Sequence, residues 1–325
     1  MRAFAWFLGV LVAAGLVAAA VAYPVFELTL RIAPWPFHRV YGRIAMLAAV
    51  GAFVFWCRHF GVTNRRELGY GLPWLRFCKV AALFAAVGIV TASVGAALLL
   101  AAGIRIVTDP VSLASPAHIA HLALIALSSG IAVALLEETV MRGALHSVIA
   151  RESGQLTALW LIAPLFAVLH FFAKTHIDSP GWMSGFYLLA GSFAPLGDLP
   201  VVLDSLLAWA AVSLLLSLTR ILTGNIAAAL GLHAGWVVVL RLLQEATGSG
   251  TVHSLWIGRF DGLVGYWILP WAAAIALLLW STRRFWLSYA AGEPSGARGA
   301  SLSSLSSGLT AWTRYWKRLG RSPSQ

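Results

Sequence analysis

Eight stretches of this chain are apolar over membrane-like lengths. They run roughly 4–26, 42–57, 80–102, 119–149, 156–173, 199–219, 226–244 and 263–281. About 20 apolar residues of helix cross the hydrocarbon of a bilayer. Lipid offers no partner to a free backbone N–H or C=O, so each stretch must close its own hydrogen bonds as a helix. The runs are continuously apolar rather than alternating, which argues against a β-barrel. The expected fold class is therefore all-α, a polytopic integral membrane helix bundle with about eight transmembrane helices. The fourth stretch is longer than one bilayer and should tilt or project.

Composition supports this reading. Sixty per cent of the 325 residues are hydrophobic and 11% are charged, whereas soluble domains carry about 25% charged residues. That excludes a soluble enzyme, a nucleic-acid module and a disulfide scaffold. The formal charge of +11 reflects arginines and lysines flanking spans, and the implied partner is the lipid bilayer, with no nucleic acid. Cys57 and Cys78 read as two buried thiols without chemistry.

The basic residues also orient the chain. One side collects Arg2, Arg58, Arg65, Arg66, Arg76, Lys79, Arg142, Arg151, Arg220 and seven more from Arg283 onward. The other holds Arg31, Arg39, Arg43, Arg105, Lys174, Arg241 and Arg259. The positive-inside rule then puts both termini in the cytoplasm. The Ala-, Leu- and Arg-rich composition has a bacterial character, and the expected location is the cell inner membrane. The first span could also be a cleavable signal peptide, given Arg2 and Ala20-Val21-Ala22, but its apolar run is long for that. Two regions follow: a transmembrane domain over 1–284, and a Gly-, Ser- and Arg-rich tail over 285–325 that reads as a flexible cytoplasmic segment. Segment 181–197, broken by glycine and proline, suggests an interfacial or re-entrant loop.

An ionisable residue inside a span is a candidate functional group, because burying it costs at least ~2.5 kcal/mol on insertion scales. Glu137, Glu138 and Arg142 interrupt a long uncharged run in the fourth span. Glu138 and Arg142 are four apart and can pair on one face. Glu137 lies about 100° round the helix and is left free of that pair. In the fifth span Phe166 and His170 share a face. Positions 137 and 170 are symmetric about 153.5, so an antiparallel hairpin turning at Ser153-Gly154 puts Glu137 and His170 at one depth, about 24 Å from the turn at 1.5 Å per residue. Facing is not set by that count. In the seventh span, Gly231-Leu232-His233-Ala234-Gly235-Trp236 places small residues beside a histidine, which permits close helix approach. His233 lies only about 14 Å beyond Thr223-Gly224 by the same rise, so a shared site requires the 4–5 hairpin to project or tilt.

Glu137-Glu138-x-x-x-Arg142, Phe166-x-x-x-His170 and His233-x-x-x-Val237, in this order on separate apolar helices, resemble the three motifs of the CAAX-protease and bacteriocin-processing family, which includes the type II CAAX prenyl endopeptidases. The motif-bearing resemblance covers about 118–245. It implies a helix bundle of about eight spans with an intramembrane site open to the cytoplasm, and a glutamate-type intramembrane peptidase. In that scheme Glu137 is the general base, His170 binds and polarises water, and His233 stabilises the oxyanion. Glu138 with Arg142 holds the helix geometry, and Phe166 packs the site. The substrate is a peptide or protein, in some relatives a C-terminal tail. No cofactor is implied, although zinc held by Glu137, His170 and His233 is an alternative ligand set.

One position departs from some relatives. They carry Asn where this chain has Val237, which leaves Trp236 or His233 itself as candidate oxyanion donors. The competing readings are a non-catalytic membrane scaffold or regulator that keeps the polar cluster for packing, and a proton-relay transporter, for which no inverted repeat is visible. Lower-ranked polar residues are His118 and His121 at the outer end of the fourth span, and His146, which falls on the Glu138 face and could join its network or meet water. Asp204 is expected to reach back to an interface, and His176 and Asp178 to lie in a loop.

Overall fold

A computed structural model describes residues 1–33, 35–108, 115–171, 177–250, 252, 256–260 and 262–283. The segment 285–325, together with Lys174 and His176, lies outside the described residues. The chain is a helix bundle. In order come α1 (Arg2–Leu30), α2 (Phe37–His59), α3 (Trp74–Ala101), α4 (Pro116–Glu138), a π-helical turn (Thr139–Leu145), α5 (His146–Ser153) and α6 (Gln155–Leu169). They are followed by α7 (Ser184–Gly191), a 3-10 turn (Ala194–Gly197), α8 (Leu199–Thr223), α9 (Ala227–Ala246) and α10 (Ile268–Ser281). Two short strands, β1 (Arg105–Val107) and β2 (Thr247–Ser249), pair antiparallel.

Every apolar stretch of the sequence contains a helix, but six rather than eight are long and apolar enough to cross a membrane among the described residues. The exceptions are α6 and α10, with 15 and 14 residues. At 1.5 Å per residue they reach about 22 Å, short of a hydrocarbon core of about 30 Å. Helix α6 ends at Leu169, and α10 starts at Ile268 because turns around Gly262 precede it. The fourth span continues from Pro116 to Ser153, 38 residues, or about 57 Å. It is therefore longer than one bilayer thickness, as its sequence predicts.

Its ends follow local chemistry. The Ser115 hydroxyl caps the N-terminus by accepting from the His118 N–H, with Pro116 at the first helical position. At the other end Gly154 adopts φ +91°, a conformation that costs glycine little, and the chain reverses into α6 at the turn expected from the hairpin count. The expected loop over 181–197 is largely helical. Within it, α7 packs so closely on α1 that a Cβ at Gly185 would collide with the Ala19 carbonyl.

Helix α9 is the centre of the bundle, buried continuously from Ala227 to Trp236. Small residues let its backbone touch its neighbours. A Cβ at Gly231 would overlap the carbonyl oxygen of Ala81, and one at Gly235 that of Ala85; conversely, Gly88 of α3 lies against the Leu232 carbonyl. Residue 233 sits about 200° round the helix from Gly231. The glycines therefore face α3 while His233 faces α4, whose Gly130 lies against the Ala234 carbonyl. At one end of the bundle Arg105 ties the two strands, donating to the Thr247 hydroxyl at 3.0 Å and carbonyl at 2.6 Å. Asp204 does not reach for an interface. It is buried, and its carboxylate accepts from the Ser205 N–H at 2.6 Å and the Arg259 N–H at 3.2 Å. Large side chains such as Leu47, Val90, Leu98 and Leu124 stay exposed on the outer faces, as lipid contact requires.

The seam between α3 and α9 is the testable packing feature. Gly231→Leu should lower stability by at least about 1–3 kcal/mol through overpacking, read as a fall in the thermal unfolding midpoint in detergent. Gly42→Ala, on α2 with nothing within 4 Å, should leave it unchanged or raise it slightly.

Candidate active site

The site is assembled where α4, its π-helical turn, α6, α8 and α9 meet. Glu138 is fully buried at the last position of α4. Its Oε1 accepts from Arg142 Nη1 at 3.1 Å and lies 2.8 Å from His233 Nδ1 on α9. Arg142, equally buried, sits in the π-helical turn and donates through Nη2 to the Ser213 carbonyl at 3.1 Å and hydroxyl at 2.8 Å on α8. Its guanidinium also lies over the Phe166 ring, 4.5 Å from the centroid. A buried charge that loses its partner is costly, so each member of this set depends on the others.

Single-turn π segments recur at functional sites because they admit an extra residue into a helix and re-aim side chains. Here the turn spans Thr139–Leu145. Its start is fixed from α2–α3, since the Tyr70 hydroxyl lies 2.6 Å from Thr139 Oγ1, and its middle is pressed against the connecting loop, where Gly143 faces the Leu68 carbonyl.

Phe166 links the halves of the site. Its ring lies 4.4 Å from that of His170 and 6.2 Å from that of His233. His170, the residue after α6, is 2.7 Å from the Phe166 carbonyl through Nδ1. A carbonyl only accepts, so Nδ1 carries the hydrogen and Nε2 is the lone-pair nitrogen of the neutral ring. The imidazole stacks on Trp209 of α8 at 4.0 Å. His170 and His233 line a cavity of about 100 Å³ together with Trp209, Trp236 and Val237. That cavity is roomy enough for water, although neither carboxylate is among its lining residues.

Glu137 is half-buried, within charge–charge range of His233 and Arg142. Its Oε2 is buried without a hydrogen-bond partner. Thus the carboxylate expected to stand apart from the Glu138–Arg142 pair does so, while Glu138 takes His233 as a second partner that the sequence did not indicate. Trp236 is placed differently from the expectation for an oxyanion donor: its indole N–H is committed to the Thr91 hydroxyl of α3 at 3.2 Å. His146 neither joins the Glu138 network nor stands in water; it is buried, with Nε2 2.6 Å from Gln155 Oε1. His118 and His121 are exposed at the start of α4. Among the described residues, no group of three or more His, Cys, Asp or Glu side chains has metal-holding geometry. Trp209 and Ser213 escaped sequence reasoning. Their one-turn spacing on an apolar helix was the available signal, and it is a weak one.

A bundle of apolar helices with a carboxylate–guanidinium–imidazole set sealed inside it is a polytopic membrane protein with an intramembrane polar site. Residues 117–239 match the family model described as type II CAAX prenyl endopeptidase Rce1-like. This is nearly the segment that the motifs delimit, and it holds every site residue. Comparison with curated proteins and with solved structures yields no significant match.

The locked part of the site makes a stability prediction. Arg142→Met should cost about 3–5 kcal/mol by leaving Glu138 without its cation. Ser213→Ala, which keeps the carbonyl acceptor, should cost only about 1 kcal/mol. Thermal unfolding of the purified protein in detergent measures both.

Proposed function

We propose that this protein is an intramembrane endopeptidase that hydrolyses a peptide bond near the cytoplasmic leaflet with a water activated by Glu137. The observation that carries this reading is the division between the two adjacent carboxylates. Each carboxylate keeps one buried oxygen without a hydrogen-bond partner, but Glu138 is committed through Oε1 to Arg142 and His233, whereas Glu137 has no such ion pair among the described residues and can accept a proton.

Peptide hydrolysis needs a base beside water and donors where negative charge develops. Glu137 takes a proton from the water as its oxygen bonds to the scissile carbonyl carbon. The lone pair on His170 Nε2 accepts from that water and orients it. His233, with Nδ1 turned to Glu138, presents Nε2 on its other edge, and in the imidazolium form that N–H donates to the oxyanion. Collapse of the tetrahedral intermediate breaks the C–N bond, and the proton held by Glu137 passes to the leaving amine. No step requires a nucleophilic side chain. The substrate is a peptide or the tail of a protein reached from the bilayer, and both termini of the enzyme lie in the cytoplasm, with the inner membrane as its location.

A non-catalytic scaffold is the competing reading. It is favoured by Val237, which offers no amide to an oxyanion, and by the committed N–H of Trp236. The two readings diverge on substitution. Glu137→Ala and His170→Ala should each lower cleavage of a reporter peptide by about 10²-fold or more with the unfolding midpoint unchanged. A scaffold would instead lose stability and show no peptide cleavage to lose. Purified activity should persist after strong chelators; its loss and recovery with added zinc would support the ligand set Glu137, His170 and His233.

A further inference from the structure

A second polar feature lies apart from the hydrolytic site and shares no lining residue with its cavity. An open cleft of about 580 Å³ is bounded by Asn64, Arg65, Arg66 and Glu67 of the α2–α3 connection, by His146, Ser147, Ala150 and Arg151 of α5, and by Gln155 and Arg220. Four arginines thus face one acid. The balance is more positive than the ion pairs suggest. Of the four arginines Glu67 pairs only with Arg151, at 3.4 Å, and its other oxygen accepts from the Thr63 N–H at 2.9 Å. Arg65 donates to the neutral carbonyls of Tyr70 and Leu72, and Arg220 Nε to the carbonyl of Arg142. Among the described residues the Arg66 guanidinium has no hydrogen-bond or ionic partner. Asn64 uses its Oδ1 to accept the N–H groups of residues 66 and 67, which fixes the loop that carries Arg65 and Arg66.

The position of the cleft bears on its ligand. It lies on the arginine-rich side of the bundle, lined by the loop that follows α2, by α5 and by the last turn of α8, and α2 and α8 are both long and apolar enough to cross a membrane. Guanidinium groups bind phosphate oxygens in bidentate fashion, and basic pockets between spans receive lipid headgroups. We propose that the cleft is a binding site for the phosphate headgroup of an anionic phospholipid from the adjoining leaflet, with Arg66, Arg151 and Arg220 as its ligands and Arg65 supplying loop-anchored positive charge. This site is independent of the hydrolytic chemistry.

Native mass spectrometry of the full chain in detergent, titrated with dioleoylphosphatidylglycerol or dioleoylphosphatidylcholine, tests it. The phosphatidylglycerol should be retained preferentially. Arg66→Gln with Arg151→Gln should weaken its retention by roughly thirtyfold, from about 1 kcal/mol per arginine. Arg58→Gln, an exposed arginine on the same side but outside the cleft, should leave retention unchanged, and Arg66→Lys should keep most of it. Equal retention of both lipids would overturn the proposal. So would an Arg58→Gln effect as large as that of the double variant, which would mean diffuse surface attraction. Displacement of the lipid by millimolar inorganic phosphate would also overturn it, since a free anion would then be the ligand.

Discussion

One buried carboxylate organises the interior of this protein. Glu138 has no access to solvent, so its charge must be answered by the protein alone. Arg142 answers it from the next helical turn, and His233 from a different helix. Arg142 is itself anchored on Ser213. A single charge therefore ties together the fourth span, α8 and α9, in a medium where apolar contact between helices gains little over contact with lipid. The arrangement also frees Glu137. With its neighbour held by two partners through Oε1, it is not needed to neutralise either cation.

That electrostatic knot rests on packing. His233 reaches Glu138 because the opposite face of α9 is glycine at 231 and 235 and can press backbone to backbone on α3. Larger residues there would push α9 away from one neighbour or the other. The π-helical turn has a related role, since it sets where Arg142 leaves the helix, and its own position is held by Tyr70 and by the close approach of Leu68 to Gly143. The aromatic stack of Phe166, His170 and Trp209 then fixes the second imidazole from the side of α6 and α8. Each contact is modest; together they leave the site few alternative geometries.

Much of this was legible in the sequence, and the reasons for the rest are specific. Apolar length alone located the spans, because lipid imposes helices; it overestimated two of them, since α6 ends at Leu169 and α10 starts only after turns around Gly262 that hydropathy averages over. The turn between the fourth and fifth spans was legible at Ser153-Gly154, where Gly154 reverses the chain. Facing was not legible. The π-helical turn alters the register of the fourth span after Glu138, so a projection at 3.6 residues per turn could not show that His146 would swing to Gln155; that His233 meets Glu138 depends on how α9 is rotated against α4. The contributions of Trp209 and Ser213 depend on how α8 rotates about its own axis, and a continuously apolar span has no amphipathic stripe to report that rotation. Trp236 has a helical position beside the site, yet Thr91 on α3 takes its N–H, a long-range partnership without local signature.

The account divides two adjacent glutamates between chemistry and architecture, and isosteric replacement separates those tasks most directly. Glu137→Gln and Glu138→Gln, purified side by side, should be compared for cleavage of one reporter peptide and for unfolding midpoint in one detergent. The account predicts that Glu137→Gln keeps its midpoint and loses cleavage, while Glu138→Gln loses stability. Cleavage at the parental rate by Glu137→Gln, or an unaltered midpoint in Glu138→Gln, would contradict it.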